Sequence, residues 1–195
     1  MSLDTTRLLV LGCVRQEQPA SGYAIMRELS SWGVRDWASI NPGSIYGALK
    51  AMLGENLVAL ETAPPTTRAV PTRAHKNSAK YSLTEAGEQV FISLLRQSLE
   101  EVEPFDPAPF MAGLCFLVAL PRETAVAALE CRAENLDAQL RRFAQDEREK
   151  RAASGGHPMH AVEFIRTAAA RLGGELAQVR ALRRRLLDGD YSFAT

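Results

Sequence analysis

Residues 41–53 read "NPGSIYGALKAML". Asn41 suits a helix N-cap, and Pro42 suits the first helical position, where its missing N–H has no intrahelical acceptor to lose. At about 100° per residue, Ile45, Ala48, Leu49, Met52 and Leu53 share one side of the helix. The opposite side carries Tyr46, Gly47, Lys50 and Gly54. The spacing therefore predicts a short helix with a committed inner face and an outward face holding a phenol, an ammonium and two positions without a Cβ.

Working outward from this helix, the first half of the chain breaks into short units. "TTRLLVLGCV" (5–14) places Leu8, Leu11 and Val14 at helical spacing, a buried first helix. "QEQPAS" (16–21) reads as a turn. "SGYAIMRELSSWG" (21–33) puts Tyr23, Ile25, Met26 and Leu29 on one face, with Ser21 as N-cap and Gly33 as stop. Downstream, "ENLVALE" (55–61) ends the helix at Asn56 and starts a strand at Leu57 and Val58. "AKYSLT" (79–84) reads as the returning strand, and Thr84 caps the following helix.

Between the strands, "APPTTRAVPTRAHKNSAKY" (63–81) contains no acidic residue but holds Arg68, Arg73, Lys76 and Lys80. Its prolines and small polar residues indicate an exposed loop. Three helices, then two strands joined by a basic loop, is the winged helix-turn-helix order.

The second half follows another pattern. "PFDPAP" (104–109) is a Pro-rich break, which divides the chain into a winged helix-turn-helix domain at 1–103 and a helical domain at 104–195. "FMAGLCFLVAL" (110–120) reads as a short buried helix, and Pro121 starts a long one. There Val126, Leu129, Ala133, Leu136, Leu140 and Phe143 form a heptad seam. After the turn "SGGHP" (154–158) the last helix repeats the seam with Val162, Ile165, Ala169, Leu172, Leu176 and Val179. The two make an antiparallel hairpin. Such a hairpin has little core of its own, so Val126, Leu129, Leu136, Leu140, Val162, Ile165, Leu172, Leu176 and Val179 are expected to join a second copy. The fold class expected is mainly α with a small two-stranded wing (α+β).

Composition bounds the function. The chain has 195 residues, 46% hydrophobic and 24% charged, with 23 basic and 23 acidic side chains. A net charge of zero gives no global attraction to nucleic acid, so any such attraction must be local. No apolar run reaches the roughly 20 residues of a membrane helix. The start lacks the basic n-region of a signal peptide, and a cytoplasmic location without membrane contact is expected. Cys13, Cys115 and Cys131 read as small buried apolar residues in a reducing compartment. His157 and His160 have no carboxylate or thiol at ligand spacing apart from Glu163 one turn on, so neither metal nor cofactor is expected. No nucleophile elbow, phosphate-binding glycine loop or paired carboxylates mark an enzyme.

At these residues the sequence resembles the PadR family of bacterial transcriptional regulators. The matching stretches are "LLVLGCV" (8–14), "GYAIMREL" (22–29), "GSIYGALKAMLGENLV" (43–58) and "KYSLTEAG" (80–87), in the family's order and spacing. The chain departs at Gly47, where the family pattern has proline, and at Asn56, where it has glycine. The C-terminal half resembles the family only in layout, as a helical dimerisation region.

The resemblance implies a homodimer that sets two winged helices on an imperfect palindrome of double-stranded DNA and represses transcription. It also implies a small aromatic effector. The residues give the physical counterpart. A helix at 42–55 fits the major groove, with Tyr46 and Lys50 reaching base edges or phosphates and Gly47 permitting close approach. Ser44 lies near the helix start, where its hydroxyl and the free backbone N–H groups favour a phosphate oxygen. Arg68, Arg73, Lys76 and Lys80 of the wing would reach flanking phosphates and make binding strongly salt-dependent. Trp32, Trp37, Phe91, Phe105, Phe110 and Phe116 read as core rather than as a ligand cage. The alternative reading is a winged-helix module that binds protein and not DNA. The polar outward face and the basic wing oppose it, since a protein-binding face favours an apolar patch.

Overall fold

The computed structural model describes residues 4–61, 79–152 and 159–193. The chain divides into two compact units, Met1–Leu95 and Arg96–Thr195. The division falls inside one continuous helix, ahead of the Pro-rich break at which composition changes.

Unit 1 is built on a helix buried on every side. In α1 (Thr5–Glu17) all seven residues from Leu8 to Val14 are buried. An unbroken apolar run gives a helix no solvent face, which is why it takes the centre. It packs against α2 (Gly22–Ser31), α4 (Pro42–Gly54) and β3 (Lys80–Leu83). A one-turn helix, α3 (Val34–Trp37), lies between α2 and α4. It buries Val34, while Ile40 is buried just beyond it. The polar remainder of that stretch hid the turn from periodicity. After α4 come β2 (Val58–Glu61), β3 and α5 (Glu85–Glu100).

The sheet has three strands rather than two, in the order β1-β3-β2 and antiparallel throughout. The extra strand β1 is Ala20–Ser21, within the segment expected to be a turn. Ala20 lies opposite Tyr81, and Ser21 opposite Lys80. Two residues are too few to show a period of two, so β1 is invisible until β3 is beside it. The Gln18 side chain extends the seam by accepting from the Leu83 N–H at 2.9 Å.

Thr84 caps α5 as expected, with its hydroxyl accepting from the Gly87 N–H at 3.0 Å. The same hydroxyl donates to the carbonyls of Asn56 and Leu57, at 2.8 and 3.1 Å. A Cβ at Gly87 would stand 1.9 Å from the Leu57 carbonyl oxygen. The "LTEAG" stretch is thus fixed by the close approach of the α5 start to the strand entry, and α5 is tied to α1 by Arg15. The Arg15 guanidinium donates to Glu88 at 2.8 Å and lies 5.6 Å from the Phe91 ring centroid.

Unit 2 holds the end of α5, then α6 (Ala108–Cys115), a 3-10 turn (Leu117–Ala119), α7 (Arg122–Ala152) and α8 (Met159–Asp188). The apolar stretch 110–120 is therefore broken at Phe116 rather than one helix. Among the described residues, no helix is long and apolar enough to cross a membrane. Helices α7 and α8 pack against each other along their length. The buried seam on α7 is Ala125, Ala128, Leu129, Arg132, Ala133, Leu136 and Phe143. On α8 it is Val162, Ile165, Ala168, Leu172, Leu176, Val179, Leu182 and Leu186.

Arg132 is the seam residue that apolar patterning passed over. It is 2% exposed. Its guanidinium pairs with Glu175 at 2.6 Å and lies 3.8 Å from the Phe110 ring centroid. It also donates to the carbonyls of Ser98 and Glu101, at the carboxy-terminal end of α5, where cations complement the helix dipole. Burial pulls its pKa below the ordinary arginine value, and Glu175 opposes that shift. Arg132 thereby ties α5, α6, α7 and α8 together.

Candidate nucleic-acid interface

The α4 helix starts and stops where its sequence directs. The Asn41 carboxamide oxygen accepts from the Ser44 N–H at 3.0 Å, and Pro42 occupies the first turn. Asn56, at φ 59°, takes the left-handed conformation that ends the helix. Gly33, at φ 65°, stops α2. Ile45, Leu49 and Met52 are buried. Tyr46, Gly47, Lys50 and Gly54 are exposed, together with Gly43 and Ala51. The outward face therefore carries three glycines rather than two. A Cβ at Gly47 or Gly54 would meet nothing within 4 Å, so the packing of the described residues does not demand glycine at either place.

Ser44 stands in the first turn of α4. It is half-buried on the flank of α4, and its N–H is already donated to the Asn41 cap. Only its hydroxyl is left to offer a phosphate.

Neighbouring elements hold this face. Ser21 caps α2 by accepting from the Ala24 N–H at 3.1 Å. Behind α2 and α3, the Trp37 indole donates to the Trp32 carbonyl at 3.0 Å, and the Trp32 indole donates to Glu28 at 3.1 Å. Both tryptophans are half-buried and buttress the turn that leads into α4. Arg7 donates to both Glu55 oxygens, at 2.5 and 2.6 Å, pinning the end of α4 to the start of α1. Tyr23 is 52% exposed and does not join the inner face of α2, because the stripe of Gly22, Ile25 and Leu29 already fills it. Tyr23 and Arg27, one turn apart, are both exposed on α2. Helical spacing alone groups Tyr23 with Ile25, Met26 and Leu29 on one face.

Lys80 is exposed on β3, opposite Ser21 and Glu61. The Glu61 carboxylate accepts from the Ser82 hydroxyl at 2.9 Å. Arg68, Arg73 and Lys76 lie outside the described residues, as does His157. His160 is exposed, and the described residues form no group of His, Cys, Asp and Glu able to hold a metal ion. Cys13 is buried, but Cys131 is only half-buried and Cys115 is exposed. The apolar reading of the cysteines thus holds for Cys13 alone.

The helical seam is consumed within one chain. Leu129, Leu136, Val162, Ile165, Leu172, Leu176 and Val179 are buried by the hairpin itself, while Val126 and Leu140 are half-buried. The residues chosen to join two copies are mostly those that join α7 to α8. The physical reason is that two long helices with matching stripes meet first inside one chain. Phe91, Phe110 and Phe116 are core, but Phe105 is 57% exposed and stacks on Phe164 at 5.6 Å between centroids. A cavity of about 480 Å³ beside α7 and α8 is lined by Glu130, Glu134, Asp137, Arg180, Arg183 and Arg184 with Ala133. Within it Arg180 is paired with Asp137, and Arg183 with Glu130.

No family model matches the chain, and no curated protein matches it at a significant level. Among solved structures it is similar to Bacillus subtilis PadR in complex with operator DNA. That likeness has 18% identity and a TM-score of 0.39, over 94% of this chain and 99% of that one. Bacillus subtilis PadR in complex with p-coumaric acid is similar at 19% identity and a TM-score of 0.36, over 93% and 98%. A PadR-like regulator from Bacillus cereus is similar at 17% identity and a TM-score of 0.38, over 94% and 98%. Likeness at this level leaves the functional reading to the residues themselves.

Proposed function

We propose that this chain is a DNA-binding transcriptional regulator of the PadR type, a repressor that acts as a homodimer in the cytoplasm. Each copy lays α4 in the major groove of an imperfect palindrome. Tyr46 and Lys50 make the polar contacts, and Gly47 allows the backbone to come close. The observation that carries the reading is the outward face of α4. Among the described residues Lys50 has no ion-pair partner, and the glycines beside it are demanded by no described neighbour. Ser44 contributes its hydroxyl at the helix start. Lys80 and the wing residues Arg68, Arg73 and Lys76 neutralise flanking phosphates.

The helical unit at the carboxy-terminal end joins two copies. Because most of the seam is occupied by the hairpin, residues left exposed on that unit meet the partner. Release by a small aromatic effector, implied by the family resemblance, completes the reading. Footprinting on the intergenic DNA upstream of the gene, repeated with phenolic acids, tests all three elements. Protection of two half-sites one helical turn apart is the expected result. Replacing Arg73 and Lys76 together is expected to flatten the salt dependence of binding, and an unchanged slope would clear the wing of phosphate contact.

A further inference from the structure

We propose that Gly22 is a positioning residue for DNA contact: the notch it leaves at the start of α2 fixes the Tyr46 ring. This rests on the DNA-binding reading above. A Cβ at Gly22 would stand 2.8 Å from Cε1 and 3.5 Å from Cδ1 of Tyr46, and 3.5 Å from Leu49 Cδ1. The first distance is one that real Cβ atoms essentially never show. The ring edge therefore occupies space that any other residue at position 22 would fill. Tyr46 is nevertheless 44% exposed, so one side of the ring rests on α2 and the rest faces outward.

An exposed tyrosine on a helix ordinarily samples several staggered conformers. Contact with the α2 backbone selects one of them before a ligand arrives, so that less rotamer freedom is lost on binding. The glycine at 47 behaves differently. No atom lies within 4 Å of where its Cβ would stand, so alanine there displaces nothing. Two glycines near one tyrosine thus have opposite roles: one holds the ring, and the other leaves open the face beside it.

Gly22→Ala is expected to swing the ring out of the notch at little cost to folding, since Tyr46 is 44% exposed and its ring can turn outward, and alanine favours helix. Binding should fall about as far as in Tyr46→Ala, on the order of tenfold. The test is a double-mutant cycle on the DNA fragment that the parent protein protects, with thermal melting of each protein. The expected result is that Gly22→Ala melts within a few degrees of the parent, and that adding it to Tyr46→Ala weakens binding no further. Three results would overturn the proposal: parental affinity in Gly22→Ala, a loss that adds in full to that of Tyr46→Ala, or a melting point far below the parent, which would mean the ring has nowhere to go.

A fluorine-labelled tyrosine at position 46 separates this claim from the one beneath it. If its resonance moves in Gly22→Ala while the parent binds no DNA, the notch stands and the DNA reading fails. If the parent binds and the resonance does not move, the notch fails alone.

Discussion

The outward face of α4 and the outward flanks of the α7–α8 hairpin are both helical surfaces, but they are built on opposite plans. On the hairpin the charges answer one another. Arg180 pairs with Asp137 at 2.5 Å, Arg166 with Glu147 at 2.9 Å and with Glu163 at 2.6 Å, and Arg183 with Glu130. On α4 a lysine stands among glycines with no ion-pair partner among the described residues. The hairpin spends its side chains on itself. The α4 face leaves its lysine uncommitted, as the proposed DNA contact requires, because a donor already satisfied within the chain gains little from meeting a phosphate.

The largest effect that could break this contrast concerns Arg132. Replacing it with Met leaves the partly buried Glu175 without its partner and removes the donors to the Ser98 and Glu101 carbonyls. Breaking such a buried pair costs about 3–5 kcal/mol. Urea denaturation is expected to show a loss of that size, and a loss below about 1 kcal/mol would mean Arg132 is not the tie it looks to be. Gly87→Ala comes next. Its Cβ would meet the Leu57 backbone, which cannot swing aside, and overpacking of this kind costs about 1–3 kcal/mol. The same assay reads it, and parental stability would show that the start of α5 can shift.

Smaller effects sharpen the contrast on the α4 side. Lys50→Ala is expected to leave the melting point unchanged and to lower the salt slope of DNA binding by about one, the signature of a lost phosphate contact. An unchanged slope places Lys50 off the DNA backbone. Gly47→Ala is the subtlest case. With open space above it, alanine should stabilise the helix by about 0.5–1 kcal/mol while weakening DNA binding. If both stability and affinity rise, the open face at 47 is not used for close approach.

What the sequence made legible follows from where each signal resides. The Asn41, Ser21 and Thr84 caps, the stops at Gly33 and Asn56, and the Ile45, Leu49 and Met52 stripe of α4 are written in residues within a turn of one another and stand in the structure as expected, while Ala48 and Leu53 are only half-buried. The misses depend on contacts from elsewhere in the chain. Strand β1 needs β3. Arg132 counts as core only because Glu175, Phe110 and two carbonyls surround it. Gly22 and Gly87 matter through Tyr46 and Leu57, partners that no local pattern discloses. On α4, residue type and helical spacing were enough to foresee that Tyr46, Gly47 and Lys50 face outward. On α2 they grouped Tyr23 with Ile25, Met26 and Leu29, yet its ring is exposed.

The most direct measurement is a DNA titration of the Tyr46→Ala/Lys50→Ala double variant beside the parent, on the fragment the parent protects and at a fixed salt concentration. The account predicts an unchanged melting point and an affinity lower by about two orders of magnitude, taking each contact at roughly 1–2 kcal/mol. Equal affinity in the two proteins would contradict it, because the outward face of α4 would then not be the surface that meets DNA.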